Sequence, residues 1–352
     1  MKILNRYLKR QLVIIFIMLL LVLTGLAWML QIMTMMKFLI NYGVEITSFM
    51  GLTVLMIPFI ISIIIPFVTF IAIIFVYNKL IGDNEITVMA ASGLSPRQIA
   101  RPAMALAGFL TLIHFGLSAW FVPLTQAKFY DTQWELRYGL AHMKLQESAF
   151  TQMANNLVVY VDKVSGHDLS QIMLSDTRNP KSGLTIFAEK GKLVSTARGL
   201  SIVMGNGSLQ SRDENLTVGT FDTFDMDLNV ADRGGESSFR VRRISTWALI
   251  KSVPHAETVK QHKLVLSELS SRLLSPIMNL ILAALCVTIL LRSSLLRRRT
   301  SFAPIIAVGA MAATMATFMA MSNIITSLTG FGLLALGQAL VLFAILYTLF
   351  RK

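Results

Sequence analysis

Cysteine is almost absent from this sequence, because Cys286 is the only one among 352 residues. A disulfide within the chain is therefore excluded, and cysteine usage gives no indication of the redox compartment. The five histidines are scattered along the chain, and none occurs in a His-Glu-x-x-His motif or at ligand spacing from the cysteine. The sequence therefore predicts neither a disulfide framework nor a metal site.

Motifs for nucleotide binding and hydrolysis are also missing. No Gly-x-x-x-x-Gly-Lys-Ser/Thr is present, and Gly191-Lys192 lacks both the earlier glycine and the following hydroxyl residue. Binding of ATP through a P-loop is therefore excluded. A Gly-x-Ser-x-Gly nucleophile elbow is absent as well. We expect this chain to have no catalytic residues and to bind no cofactor of its own.

Charged residues make up only 14% of the chain, whereas hydrophobic residues make up 54% and the mean hydropathy is +0.63. Soluble domains carry about 25% charged residues, so the composition predicts a multispanning membrane protein. Six apolar runs are long enough to cross a bilayer, at about Leu12–Met36, Gly51–Val76, Pro102–Val122, Leu273–Leu291, Phe302–Ile325 and Gly332–Phe350. The first run is too long for a signal-peptide core, and we expect it to be retained as a span.

Basic residues beside these runs are concentrated on alternate connections. They are Lys2, Arg6, Lys9, Arg10, Lys79, Arg97, Arg101, Arg292, Arg297, Arg298, Arg299, Arg351 and Lys352. The two short connections on the opposite side carry only Lys37. The positive-inside rule therefore predicts that both termini are cytoplasmic and that the long connection after the third run lies on the far side. The net charge of +13 is a signal of topology and not of nucleic-acid binding.

The connection between the third and fourth runs has a different pattern. Turn residues recur about every 8–12 positions, which is typical of an all-β sandwich or open barrel. The strand-like runs are Leu157–Asp162, Gln171–Ser175, Leu184–Glu189, Lys192–Thr196, Leu200–Met204 and Asn215–Asp222. We therefore predict three parts: spans one to three in 1–123, an extracytoplasmic β domain with helical flanks in 124–267, and spans four to six in 268–352.

The short stretch Gly82–Arg101 connects the second and third runs and has a helical pattern. Asp83 can cap a helix, Glu85 lies in its first turn, and Gly93 can end it. The apolar positions recur at i, i+3, i+4 and i+7, namely Ile86, Met89, Ala90 and Gly93. Two interpretations remain open: this apolar face docks on a soluble partner, or the segment packs on the ends of its own helices.

Lys37 is isolated at the far-side end of the first run. It is either a snorkelling lysine that anchors the helix end or a cation that binds an anionic lipid or phosphate. Glu45 is the only acidic residue in the same short connection and can pair with it. The spans themselves contain almost no acidic residues, which argues against a proton-driven transporter.

The six-span plan, the inserted β domain and the sequence from Asp83 to Ser95 together resemble the LptF/LptG family of lipopolysaccharide export permeases. The resemblance covers essentially the whole chain. Its most specific part, Glu85-Ile86-Thr87-Val88-Met89 followed by Gly93, is similar to the coupling helix of the family. The start Asn5-Arg6-Tyr7-Leu8 resembles the LptF branch more than the LptG branch.

The resemblance implies a subunit of an ATP-binding cassette exporter in the inner membrane of a Gram-negative bacterium. Such a subunit pairs with an LptG-like permease, binds an LptB-like ATPase dimer that uses ATP and Mg²⁺, and passes lipopolysaccharide to LptC-like and LptA-like periplasmic proteins. The β domain is then expected to be a jellyroll. Glu85 would pair with a basic residue of the ATPase, Ile86, Val88 and Met89 would fill apolar hollows there, and Lys37 would contact lipid phosphates.

Three alternatives are weighed against this interpretation. One is the paralogous LptG-type subunit of the same exporter. Another is a MacB/FtsX-like mechanotransmission permease, which has four spans and carries its domain between the first two. The third is an envelope scaffold that transports nothing and binds proteins through its β domain.

Overall fold

The computed structural model describes residues 2–42, 45–139, 147–154, 156–165, 168–177, 183–196, 199–212, 216–227, 241–255, 258–295, 302–325 and 327–350. The chain forms two compact units. The first unit comprises residues 1–34, 53–129 and 237–352, and the second comprises residues 35–52 and 130–236. The first is helical, and the second contains the β-sheet.

The helices are α1 (Lys2–Tyr42), α2 (Ile46–Leu55), α3 (Ile57–Gly82), α4 (Glu85–Ala91), α5 (Pro96–Gly116), α6 (Val122–Gly139), α7 (Thr246–Ser252), α8 (Val259–Leu274), α9 (Ile277–Leu295), α10 (Ala303–Ile324) and α11 (Leu328–Phe350). A π-helical turn, Leu117–Phe121, joins α5 to α6, and a 3₁₀ turn, Val253–His255, follows α7.

Among the described residues, five helical segments are long and apolar enough to cross a membrane, or six if α8 and α9 together count as one bent span. The bend between α8 and α9 is 54°. It lies at Ser275-Pro276, and a proline disrupts the helix because it has no N–H to donate and its ring crowds the preceding turn. The fourth span was predicted as one continuous run, and the break within this region is a feature that the hydropathy did not indicate.

Helix α9 is the centre of the first unit. It packs against α3, α5, α10 and α11, and its residues Leu282, Ala283 and Cys286 are fully buried. By contrast, only 11% of the span in α1, 17% of that in α10 and 11% of that in α11 is buried within the chain. The exposed apolar faces of these three helices are therefore available to lipid or to another chain.

A small polar cluster connects three helices inside this apolar unit. His114 of α5, 1% exposed, lies 3.1 Å through Nε2 from the Ser62 hydroxyl of α3 and 3.1 Å through Nδ1 from Asn279 Nδ2 of α9. The Asn279 amide also donates to Pro276 O at 3.0 Å. The cluster therefore lies beside the break between α8 and α9 and one turn before the π-helical turn.

Arg272 fixes the other side of the break. Its guanidinium is 3% exposed and donates to Glu268 Oε1 at 2.9 Å, Ile244 O at 2.8 Å and Arg242 O at 3.1 Å. The carbonyl of Arg272 accepts a hydrogen bond from Ser118 in the π-helical turn at 3.0 Å. The Arg272 side chain thus holds α8 and the segment before α7 together, and its backbone carbonyl adds the π-helical turn.

The sheet in the second unit has six antiparallel strands in chain order. They are β1 (Ala149–Ala154), β2 (Leu157–Ser165), β3 (Asp168–Asp176), β4 (Gly183–Thr196), β5 (Gly199–Arg212) and β6 (Leu216–Asp227). A jellyroll has Greek-key crossovers between two sheets. The described strands instead form a meander, and the expected crossovers do not occur among them.

A crease crosses this sheet from β2 to β6. In each of these strands, one residue is left out of the cross-strand pairing while its neighbours on both sides are paired. These residues are Asp162, Gln171, Glu189, Asn206 and Asp222. Across the crease the inward side chains are three residues apart instead of two, as in Val161 and Val164. Inward residues from both sides of it belong to one apolar cluster. The meander is therefore folded along this row around its own apolar face.

Gly207, next to the crease, has no room for a side chain. A Cβ built there lies 2.2 Å from the backbone O of Phe187 and 2.5 Å from Cζ of Phe221. We expect Gly207→Ala to destabilise the sheet by about 1–3 kcal/mol, because the Phe187 backbone is fixed in the ladder. The matched control is Gly219→Ala in β6, where a Cβ meets nothing within 4 Å. Equal melting temperatures of the two purified variants would contradict this prediction.

Candidate docking surface

Helix α4 is held between α3 and α5 by two short connections. Helix α3 continues to Gly82, and the Asp83 N–H donates to Lys79 O at 2.9 Å. Asp83 therefore closes α3 and does not cap α4, which corrects the predicted capping role. Asn84 follows with φ 58°, a left-handed conformation that asparagine tolerates better than most residues, and α4 begins at Glu85.

The apolar stripe of α4 faces the chain's own helices. Ile86 is 1% exposed and Met89 is 7% exposed, and both belong to the main helical core. Helix α4 contacts α3, α5 and α9. Of the predicted stripe, Ile86 and Met89 become buried, whereas Ala90 is partly buried and Gly93 is exposed. The contacts of the buried pair are within this chain. Contact with a partner through the Ile86 and Met89 side chains, as the resemblance implied, is not available in this arrangement.

The carboxyl end of α4 is closed by Gly93. Its φ is 82°, its N–H donates to Ala90 O at 3.0 Å, and the Leu94 N–H donates to Met89 O at 3.1 Å. This pair of bonds is the Schellman arrangement, in which glycine is favoured because a Cβ would be strained. Pro96 then opens α5, and Gln98 Oε1 accepts from the Ser95 N–H at 2.9 Å.

The opposite side of α4 is exposed. Thr87, Val88, Ala91 and Ser92 lie on it, and Val88 is 64% exposed. Val88 therefore presents an apolar side chain on a short, fixed helix, and no described residue covers most of it. Val88 is thus the one apolar residue of the predicted set that remains available for docking.

Glu85 lies at the edge of this surface and is half-buried. Its Oε1 accepts a hydrogen bond from the Tyr7 hydroxyl of α1 at 3.4 Å. Within the described ranges no lysine or arginine lies within 4 Å of its carboxylate. The charge is therefore free to pair with a cation from another chain.

Two contacts of this region were missed in the sequence. Tyr7 entered only as part of a family resemblance, and Tyr77, which directly follows the second predicted run, was not singled out. Tyr77 is fully buried, and its hydroxyl donates to Ile99 O at 2.7 Å, which ties α3 to α5 beneath α4. A tyrosine directly after an apolar run was the available signal, because its hydroxyl needs a partner when it is buried.

The backbone of Lys37 belongs to α1, but its side chain is outside the described part of the structure. Its contact with lipid phosphates stays a prediction. No group of three histidine, cysteine, aspartate or glutamate residues lies together in the part of the chain that is described.

Comparison with known proteins gives three findings. A family model described as lipopolysaccharide export system permease LptF/LptG matches residues 6–352. An uncharacterised protein of Rickettsia prowazekii is 24% identical over 290 residues, covering 80% of each chain. The lipopolysaccharide export system permease protein LptF of Escherichia coli K12 is 27% identical over 165 residues, which is 46% of this chain and 44% of that protein.

Proposed function

Because this chain belongs to the LptF/LptG family of lipopolysaccharide export permeases, we propose that it is the LptF-type transmembrane subunit of an ATP-binding cassette exporter. The exporter would extract lipopolysaccharide from the inner membrane of a Gram-negative bacterium and pass it to a periplasmic bridge. Similarity to LptF of Escherichia coli supports the choice of branch, although it covers less than half of each chain.

The proposed partners follow from what this chain must obtain elsewhere. Energy comes from an LptB-like ATPase dimer that binds ATP and Mg²⁺. An LptG-like permease supplies the second coupling helix and covers the exposed faces of α1, α10 or α11. LptC-like and LptA-like proteins receive the lipid on the periplasmic side, where the β domain lies in the proposed orientation. Lys37 contributes to binding of the lipid phosphates.

The observation that carries this proposal is the construction of α4. Helix α4 has a buried apolar stripe, two closed ends and one exposed face. It can transmit a displacement, because it cannot rotate independently of α3 and α5. The Tyr77 hydroxyl bond to α5 adds a rigid link below it. Movement of the ATPase would therefore shift α3 and α5 as a pair and change the space that they border with the second permease.

Replacement of Glu85 tests the proposal. We expect Glu85→Ala or Glu85→Arg to insert normally, to lose lipopolysaccharide-stimulated hydrolysis in the co-purified ATPase complex, and to fail in complementing a depleted strain. The matched control is Asp168→Ala, which removes an exposed carboxylate from β3. Normal complementation by both Glu85 variants would contradict the role of Glu85. Failure of the unaltered chain to co-purify with any ATPase would favour the scaffold alternative.

A further inference from the structure

The first three turns of α1 carry a basic face that the proposed function does not use. Arg6, Lys9 and Arg10 are exposed, and they line one shallow surface cavity with Asn5 and Val13. These positions recur at helical spacing, so they share one side of the helix. On the other side Leu8 and Leu12 are fully buried in the helical core. The packing of α1 therefore fixes the direction in which the three cations point.

The positive charge of this face is not neutralised by the part of the chain that the structure describes. No described carboxylate lies within 4 Å of Arg6, Lys9 or Arg10. Like charges three and four residues apart on a helix repel one another, so an anion bound between them stabilises the arrangement. Arginine pairs with phosphate oxygens through two parallel hydrogen bonds, which makes phosphate a fitting anion for two of these three residues.

The same side of the helix becomes apolar immediately beyond the cations. Ile14 is 54% exposed, Ile17 is 49% exposed and Leu21 is 69% exposed. They follow Arg10 at i+4, i+7 and i+11 and continue the face along the span. An acidic soluble protein would match the cations and leave this apolar strip unmatched. A phospholipid matches both parts, with its phosphate at the cations and an acyl chain along the strip.

We propose that Arg6, Lys9 and Arg10 bind the headgroup phosphate of an anionic phospholipid from the leaflet in which this end of α1 lies. Tyr7 lies between these cations in sequence, and its hydroxyl contacts Glu85 at the start of α4. A lipid that holds the first turns of α1 thereby also fixes Tyr7 against the coupling helix. This second step rests on the proposed function of α4, whereas lipid binding itself does not.

Binding is measured on the delipidated, detergent-solubilised full chain by native mass spectrometry and thermal melts with added phosphatidylglycerol. We expect saturable binding that phosphatidylcholine does not reproduce. The triple variant Arg6→Gln, Lys9→Gln, Arg10→Gln should lose at least about tenfold in affinity, since each cation near an anionic headgroup contributes to binding. The matched control Lys163→Gln, Lys190→Gln, Lys192→Gln removes the same charge from exposed strand residues and should bind normally.

A second variant controls for a change of membrane topology, because loss of basic residues beside a span can change the orientation of that span. Arg6→Lys with Arg10→Lys keeps the charge and removes the paired phosphate contacts, and we expect a smaller loss of affinity. Equal phosphatidylglycerol binding by the triple variant and its control would overturn the proposal. So would an equal effect of inorganic phosphate alone, because the site would then recognise a free anion and not a lipid.

The link to α4 is tested separately with Tyr7→Phe in the complex with the ATPase. This variant should bind phosphatidylglycerol normally, while the dependence of ATP hydrolysis on phosphatidylglycerol content of the vesicles disappears. An unchanged lipid dependence would overturn the link. If α4 did not dock on an ATPase at all, no ATPase activity would co-purify even with the unaltered chain. The measurement of phosphatidylglycerol binding would be unaffected.

Discussion

Arg272→Met is expected to lower the stability of the helical unit by about 3–5 kcal/mol, the usual cost of removing one partner of a buried ion pair. The methionine fills a similar volume but donates no hydrogen bond. Glu268, 19% exposed, then loses its nearest cation. The carbonyls of Arg242 and Ile244 lose their donor too. Since whole domains are stable by only about 5–15 kcal/mol, we expect much less assembled protein in the membrane.

The matched control for this prediction is Arg242→Met. Arg242 also faces Glu268, at 3.9 Å, but its side chain is 48% exposed. Exposed ion pairs contribute about 0–1 kcal/mol, so this variant should melt close to the unaltered chain. Membrane yield and thermal midpoint of the purified proteins measure both. Equal midpoints for the two variants would show that burial of Arg272 contributes nothing to stability.

Only part of the Arg272 site is visible in the sequence. Glu268 and Arg272 are four residues apart, which is the spacing at which two side chains on a helix can pair. The acceptors that complete the site are the carbonyls of Ile244 and Arg242, 28 and 30 positions earlier in the chain, and the Thr246 hydroxyl, 26 positions earlier. No local pattern encodes such contacts, because a backbone acceptor is offered by every residue. The break at Ser275-Pro276 was obscured for a related reason, since hydropathy averages over a bend.

The β domain shows where alternation of residues succeeds and where it misleads. The pattern located parts of β2 to β6, because inward apolar residues alternate there. It divided β4 into two runs, Leu184–Glu189 and Lys192–Thr196. The division falls on the crease, where the alternation shifts by one residue while the hydrogen-bonded ladder resumes. A change of phase within one strand and a turn between two strands look alike in a sequence.

Helix α4 shows a different limit of the sequence. The apolar stripe was found by its spacing, and the closing role of Gly93 followed from its position at the end of the stripe. Spacing shows which face of a helix is buried, but not whether the burying surface belongs to the same chain. The structure supplies that information through the burial of Ile86 and Met89 against α3, α5 and α9. The proposed docking surface is consequently the side of α4 that carries Val88.

The same substitution at two positions of α4, Ile86→Asp and Val88→Asp, separates packing from docking. Ile86 is 1% exposed, so a carboxylate there has no water and no partner, and we expect the helical unit to assemble poorly. Val88 is 64% exposed, so the change should alter stability by no more than about 0.5 kcal/mol.

Val88→Asp should nevertheless abolish function, because a charge in the centre of a docking surface removes its apolar contact and costs about 2 kcal/mol or more, roughly a thirtyfold loss of affinity. We therefore expect Val88→Asp to reach the membrane at normal levels, to lose the co-purifying ATPase and to fail in complementation. Val88→Thr keeps the shape and should retain the ATPase. Complementation by Val88→Asp at normal levels would exclude this face of α4 as the coupling surface, and normal assembly of Ile86→Asp would exclude its burial.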